Sequence, residues 1–213
     1  MIVCVLKSGE EYGSAHVARL FYHVVDHTNE PFLCLTDMLG EVLDLDLGII
    51  VRPLLHNWPG WWSKIELFRI RGPVLYLDLD VNILGDLRPL TYLSNRRKFI
   101  VARSTSPGNH RINSSIMGWH KDVSSLYEAF KRSPYTYMAR DEADDGRWGD
   151  QAFIEDHCPR WDYWQDLLPE NVICFKHEAL QGKSLDNCRV LVSGGKPRPW
   201  ETGGADEWLK FRR

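Results

Sequence analysis

A chain of 213 residues can bury one sizeable core but is short for two full domains. Its 44% apolar and 26% charged residues are ordinary for a soluble globular protein, and a net charge of −3 supplies no basic field for nucleic acid. Only the end, with Lys210, Arg212 and Arg213, is locally basic. Cys4, Cys34, Cys158, Cys174 and Cys188 are odd in number, widely spread and without a Cys-x-x-Cys pair, which argues for buried thiols and against a disulfide frame or a structural zinc site.

Residues 1–6 are apolar but are cut off by Lys7, Ser8 and Gly9, too soon for a signal or a membrane span, so a cytoplasmic location is the expectation. They read as a first buried strand, with a loop over 9–13. From Ser14, a plausible N-cap, Val17, Leu20, Phe21, Val24 and Val25 follow the spacing of a core-facing helix, which Asn29 and Pro31 end. Strands are expected over 32–35 and 49–51, a helix over 61–70 and a central strand over 74–80. Further on, strands are read over 99–102, 115–117, 172–175 and 189–192, and helices over 123–131 and 150–156. The polar stretch 133–148 and the Gly- and Pro-rich stretch 193–204 read as loops. Short apolar strands alternating with helices predict an α/β/α sandwich on a mainly parallel sheet, which binds ligands at the carboxyl ends of its strands.

The most informative stretch is Val-Leu-Tyr-Leu-Asp-Leu-Asp at 74–80, an apolar run ending in two carboxylates one residue apart. Alternation along a strand sends Asp78 and Asp80 to one face and Leu75, Leu77 and Leu79 to the other. Paired carboxylates at the end of a buried strand repel, and a hard divalent cation held by oxygen ligands relieves this; the plainer alternative is a strand running into a solvated acidic turn. Asp44 and Asp46 repeat the spacing but precede Gly48 without an apolar strand, and read as a solvated loop.

In their order along the chain these segments resemble GT-A-fold nucleotide-sugar glycosyltransferases, closest to the retaining family 8 that includes glycogenin and the bacterial lipooligosaccharide galactosyltransferases. The resemblance covers residues 1 to about 200 and implies one domain over 1–213: a nucleotide-binding half at 1–104, a donor-sugar and acceptor half at 105–200, and a tail at 201–213. It assigns Leu6, Ser8 and Tyr12, in Leu-Lys-Ser-Gly-Glu-Glu-Tyr, to the base and ribose, where a tyrosine ring can stack on uracil and a short polar group can bond its edge. Thr36 and Asp37 would meet the nucleoside, and Lys64, on the helix before the D-x-D strand, the diphosphate. Asp78, Leu79 and Asp80 match the D-x-D that binds Mn2+ or Mg2+ and assists the leaving nucleoside diphosphate of a UDP-sugar. Asn113 and Ser114, in Ile-Asn-Ser-Ser-Ile-Met, resemble the strand whose amide reaches the donor sugar. Asp150 and Gln151, in Gly-Asp-Gln-Ala, match the segment flanking the anomeric carbon, with Asp150 on sugar hydroxyls and Gln151 near the developing charge. For Asp150 the ordinary alternative is an acid at a helix N-terminus.

Lys196 and Arg198, in Gly-Gly-Lys-Pro-Arg-Pro-Trp, resemble the family's phosphate-clamping loop. Here the sequence departs from the pattern: the metal-binding His expected six or eight residues before Trp200 is replaced by Gly194 or Val192. Either water and the diphosphate complete the metal's shell, as hard cations permit, or the chain only binds a sugar nucleotide; His177 on the preceding segment is a possible substitute. His110 and Arg111 would face the acceptor. Haloacid-dehalogenase-like phosphatases offer a different reading of Asp-x-Asp, as nucleophile and acid, with Asp144 and Asp145 as a late acidic pair, but Asn82 stands where they carry Thr or Val. The acceptor is left open among a glycan, a lipid-linked glycan, a protein, a small molecule and a modified phage DNA. Trp58, Trp61, Trp62, Trp119, Trp148, Trp161 and Trp164 are available as sugar-stacking faces, most of them as core or rim packing.

Overall fold

The computed structural model describes residues 1–9, 11–105, 111–139, 147, 149–198 and 201. His110, Asp144, Asp145, Trp148, Trp200 and the basic tail, all named above, lie outside these. The first half runs β1 (Ile2–Leu6), α1 (Ser14–Val25), β2 (Phe32–Thr36), α2 (Leu39–Leu43), β3 (Ile50–Pro53), a 3₁₀ helix (Gly60–Arg69), β4 (Val74–Leu77), β5 (Asn82–Ile83) and α3 (Arg88–Ser94). The second runs β6 (Ile100–Arg103), β7 (Ile112–Trp119), α4 (Ser124–Arg132), α5 (Pro134–Ala139), α6 (Gly149–His157), β8 (Asp162–Tyr163), α7 (Trp164–Leu167), β9 (Val172–Cys174), a short 3₁₀ turn (Ala179–Gln181) and β10 (Val190–Val192).

The main sheet has the order β3-β2-β1-β4-β7-β6-β8. All its pairings are parallel except those of β7, which runs antiparallel to both β4 and β6. Strand alternation divides the core. Cys4, Leu6, Leu75 and Leu77 face α1, α3 and α7, while Val3, Val5, Tyr76 and Met117 face the 3₁₀ helix, α4 and α6. This is the layered α/β/α sandwich with a mainly parallel sheet. A smaller sheet, β5-β10-β9, carries the last strands beside it, with Ile173, Phe175 and Leu191 forming its own apolar cluster.

Several local expectations shift. Gly13 rather than Ser14 caps α1, its N–H reaching His16 Nδ1 at 3.1 Å. The helix expected over 61–70 is a 3₁₀ helix, entered through Pro59, in which the Ser63 hydroxyl takes the Gly60 carbonyl at 2.8 Å and competes with the α pattern. The central strand stops at Leu77. Asp78 N–H still donates to Ser115 across the sheet at 2.9 Å, but the chain then turns, with Val81 N–H returning to the Asp78 carbonyl. Residues 133–148, read as a loop, include α5. Asp44 and Asp46 are exposed after α2, as a solvated pair should be.

Candidate active site

The turn that carries Asp80 is pinned from two sides. Arg19 of α1 donates to the Leu79 and Val81 carbonyls at 2.7 and 3.0 Å and to Asn82 at 2.9 Å, while Ser193, just past β10, donates to the Asp80 carbonyl at 2.6 Å. Asp80 therefore stays beside Asp78 although the strand has ended. Both line a cavity of about 300 Å³ with Lys7, Glu11, Tyr12, Trp61, Lys64 and Arg198. It opens where β1 and β4 end, the edge at which a parallel sheet binds ligands.

Charge in this cleft is closely balanced. Lys64 donates to Asp78 at 2.9 Å and lies 3.8 Å from Asp150. Burial by itself would lower the Lys64 pKa, but Asp150 and Asp78 more than offset that and raise it. The Tyr76 hydroxyl donates to the other oxygen of Asp78. Burial and the neighbouring Asp78 push the Asp80 carboxyl above its ordinary range, against the pull of Lys64, Arg198 and Tyr12. Burial likewise raises Asp150, although Lys64 and Ser114 oppose it.

Arg198 closes the opposite wall. Its Nε lies 3.3 Å from Asp80, Nη1 donates to Glu11 and Nη2 to the Tyr12 hydroxyl, and its side chain is 9% exposed. Lys196 reaches Glu11 at 3.3 Å but is otherwise exposed. The Tyr12 hydroxyl is raised by burial and by Asp80, so it stays protonated.

The remaining expected residues are placed as follows. Ser8 gives Asp37 its backbone N–H at 2.8 Å and its hydroxyl at 2.6 Å, and Lys7 pairs with the same carboxylate. Leu6 is wholly buried in the core, and Thr36, equally buried, uses its hydroxyl to receive the Met38 N–H at 2.9 Å. Neither side chain is on the cavity wall. Ser114 meets α6, donating its hydroxyl to Asp150 and its N–H to Gln151 at 3.1 Å, while the Asn113 side-chain oxygen Oδ1 receives the Ser115 N–H at 2.8 Å. Asp150 thus stands behind Lys64, and Gln151 is tied to β7. Glu155, one turn further along α6, accepts the backbone N–H of Arg111 and Ile112 at 2.6 and 3.0 Å and fixes where β7 begins. Glu11 and Tyr76 are cleft residues to which motif reading gave no role, and Trp61, one of the tryptophans offered as a stacking face, also lines the cleft. Trp61 is 45% exposed and packs on Gly149 at the start of α6, where φ is +73° and a Cβ would lie 3.1 Å from the indole nitrogen.

Position 194 excludes any side chain. Gly194 has φ +71°, and a Cβ there would lie 2.5 Å from Cys174 Sγ and 3.3 Å from the His177 ring. Val192 is buried in β10. Among the described residues no group of three or more His, Cys, Asp and Glu is arranged to hold a metal. What the cleft does present is two carboxylate groups, one of them raised by burial and by its neighbour's charge, a hard donor pair that suits Mg2+ or Mn2+ when phosphate and water supply the other oxygens.

No family model matches the sequence, and no curated protein matches it significantly. Solved structures do. The glycosyltransferase GlyE of Streptococcus pneumoniae TIGR4 superposes with TM-score 0.66 at 15% identity, over 99% of this chain and 59% of that one. The galactosyltransferase LgtC, in complex with donor and acceptor sugar analogues, gives 0.61 at 14% identity over 99% and 94%. The chain has the GT-A fold. Mouse xyloside xylosyltransferase 1 gives 0.54 at 12% identity over 92% and 97%. The chain spans about three fifths of GlyE and nearly the whole of LgtC. Among the described residues no helix is long and apolar enough to cross a membrane.

Proposed function

We propose that this protein is a glycosyltransferase that moves a sugar from a nucleoside diphosphate donor, UDP-linked, to an acceptor hydroxyl with retention at the anomeric carbon. The observation that carries the reading is the convergence of Asp78, Asp80, Lys64 and Arg198 on one cavity at the carboxyl edge of a GT-A sheet. Tyr12, on the cavity wall, and Ser8 with Asp37, bonded to each other past β1 and β2, would form the nucleoside side. Lys64 and Arg198, both engaged with the acidic pair, supply positive charge for a diphosphate, with Arg198 able to grip it in two places. Asp150 and Gln151, presented by the first turn of α6, form the sugar side.

Asp78 and Asp80 would hold Mn2+ or Mg2+, which when bound supplies Lewis-acid neutralisation of the departing diphosphate. The chain's own groups orient the donor around it and keep the acidic pair compensated before it arrives. The structural similarities are to glycosyltransferases, and nothing in the cleft favours the phosphatase reading, whose nucleophile would have to be an Asp78 already held by Lys64 and Tyr76.

A panel of nucleotide sugars assayed for Mn2+-dependent release of the nucleoside diphosphate tests the proposal. UDP release from at least one UDP-sugar is expected. No release from any donor, combined with no thermal stabilisation by UDP and Mn2+, overturns it.

A further inference from the structure

A second cavity, of about 520 Å³, lies at the β6–β8 edge of the sheet. Lys98, Arg111 and Arg160 line it together with Trp161, and the one carboxylate among its described lining residues, Asp162, lies 3.7 Å from Arg97. Arg111 is 61% exposed and stands 5.0 Å from the Trp161 ring. Its neighbour Glu155 does not depend on it for charge balance, because Arg147 lies at 3.5 Å and two backbone N–H groups bond the same carboxylate. In a chain of net charge −3, three cations around an indole mark a place built to attract anions.

We infer that this groove binds an acidic sugar unit, a uronate or a phosphorylated sugar, of the acceptor glycan; the inference rests on the transferase reading. A neutral sugar would use the Trp161 face but not the charge of Lys98, Arg160 and Arg111, the last of which lies 3.7 Å from Glu155. A bare phosphate needs neither an aromatic face nor so large a space. A nucleic acid duplex asks for a longer run of phosphate contacts than three cations bounded by Asp162 provide. An anionic membrane asks for exposed apolar groups beside the cations, yet exposed Leu43, Ile50 and Leu55 lie at the other end, in and around edge strand β3.

Helix α6 links the two places. Its first turn carries Asp150 and Gln151, its residue Glu155 holds the start of β7, and its end leads into Pro159–Trp161 at the groove. Nine residues of helix span roughly 13 Å, so the acidic unit sits about a helix length from the reacting hydroxyl, and the acceptor is an oligosaccharide.

The test is calorimetric titration with trigalacturonate, maltotriose, a short DNA duplex and phosphatidylglycerol vesicles, without donor or metal, on the wild type and on Lys98→Glu/Arg160→Glu. These two side chains are exposed, so the fold survives their reversal. Trigalacturonate should bind the wild type and weaken roughly tenfold or more in the variant, with maltotriose far weaker and the UDP thermal shift unchanged. Equal binding of trigalacturonate to both proteins, equal binding of maltotriose, or binding of DNA or vesicles alone overturns the inference. A wild type that binds trigalacturonate as expected but is not stabilised by UDP leaves the groove standing and removes the transferase reading.

Discussion

Lys64 stands 2.9 Å from Asp78, and its ammonium also comes within 3.8 Å of Asp150. One cation therefore holds together two carboxylates supplied by different elements, β4 and α6. Deleting it removes the cation from buried Asp150 and partly buried Asp78, leaving them a hydroxyl donor each, Ser114 and Tyr76, a loss that costs roughly 3–5 kcal/mol.

Lys64→Met is thus expected to lower the melting temperature by roughly 6–20 °C for a chain of this size. Asp150 already has a raised pKa with Lys64 present, so it takes up a proton more readily without it. The deficit should therefore narrow as the pH falls, and Lys64→Met/Asp150→Asn should recover part of it. Melting curves between pH 4 and 8, a window set about the carboxylate range, check both.

Asp80 behaves in the opposite sense. Its folded pKa is raised, so its contribution to stability is present below the unfolded value and is lost as pH rises through the folded one. Asp80→Asn should melt no lower than the wild type at pH 7 without metal, yet lose the stabilisation given by UDP with Mn2+. In the wild type that stabilisation should fade on acidification at a pH above the ordinary aspartate range. Scanning calorimetry with and without Mn2+ separates the effects, and a retained Mn2+ response in the variant would remove Asp80 from the metal site.

Arg198 ties Asp80, Glu11 and Tyr12 into one wall. Arg198→Ala is expected to weaken UDP binding by roughly tenfold or more, in line with loss of a charge-assisted hydrogen bond, and to speed amide exchange over residues 193–198. Arg198→Lys restores charge without the fork and should recover only part of the affinity. Calorimetric titration with UDP and hydrogen exchange read the two effects.

Gly149→Ala forces a side chain onto a left-handed backbone position against the Trp61 indole. A loss of about 1–2 kcal/mol is expected from strain and crowding. In a Trp61→Ala background the loss should shrink to the backbone part alone, a non-additivity that a double-mutant cycle in denaturant measures.

The early elements were legible because each is governed by one period. Residues 14–25 repeat apolar side chains at helical spacing, and 2–6, 32–36 and 74–77 are unbroken apolar runs, the mark of parallel strands covered on both faces. Asp78 and Asp80 were legible for the same reason, being charges where such a run stops. Strand β7 was read short at its start because Asn113 and Ser114 look like loop residues until α6 supplies Asp150 and Gln151 opposite them. Helix α3 escaped notice because Arg88-Pro89 carries little helical signal before tertiary packing of Leu90 decides it. The wall made by Arg198 was half visible: the cation was expected, but its partner Glu11 is 187 residues away and shares no local pattern with it.

That last separation bears on biosynthesis. Ribosomes add about 5–20 residues each second, so Glu11 and Tyr12 wait on the order of 10–40 s before Arg198 exists to meet them. The sheet can assemble meanwhile, but the cleft around Asp78 and Asp80 gains its Arg198 wall only with nearly the last described turn of the chain, and a nascent protein holds that cleft open on one side until then.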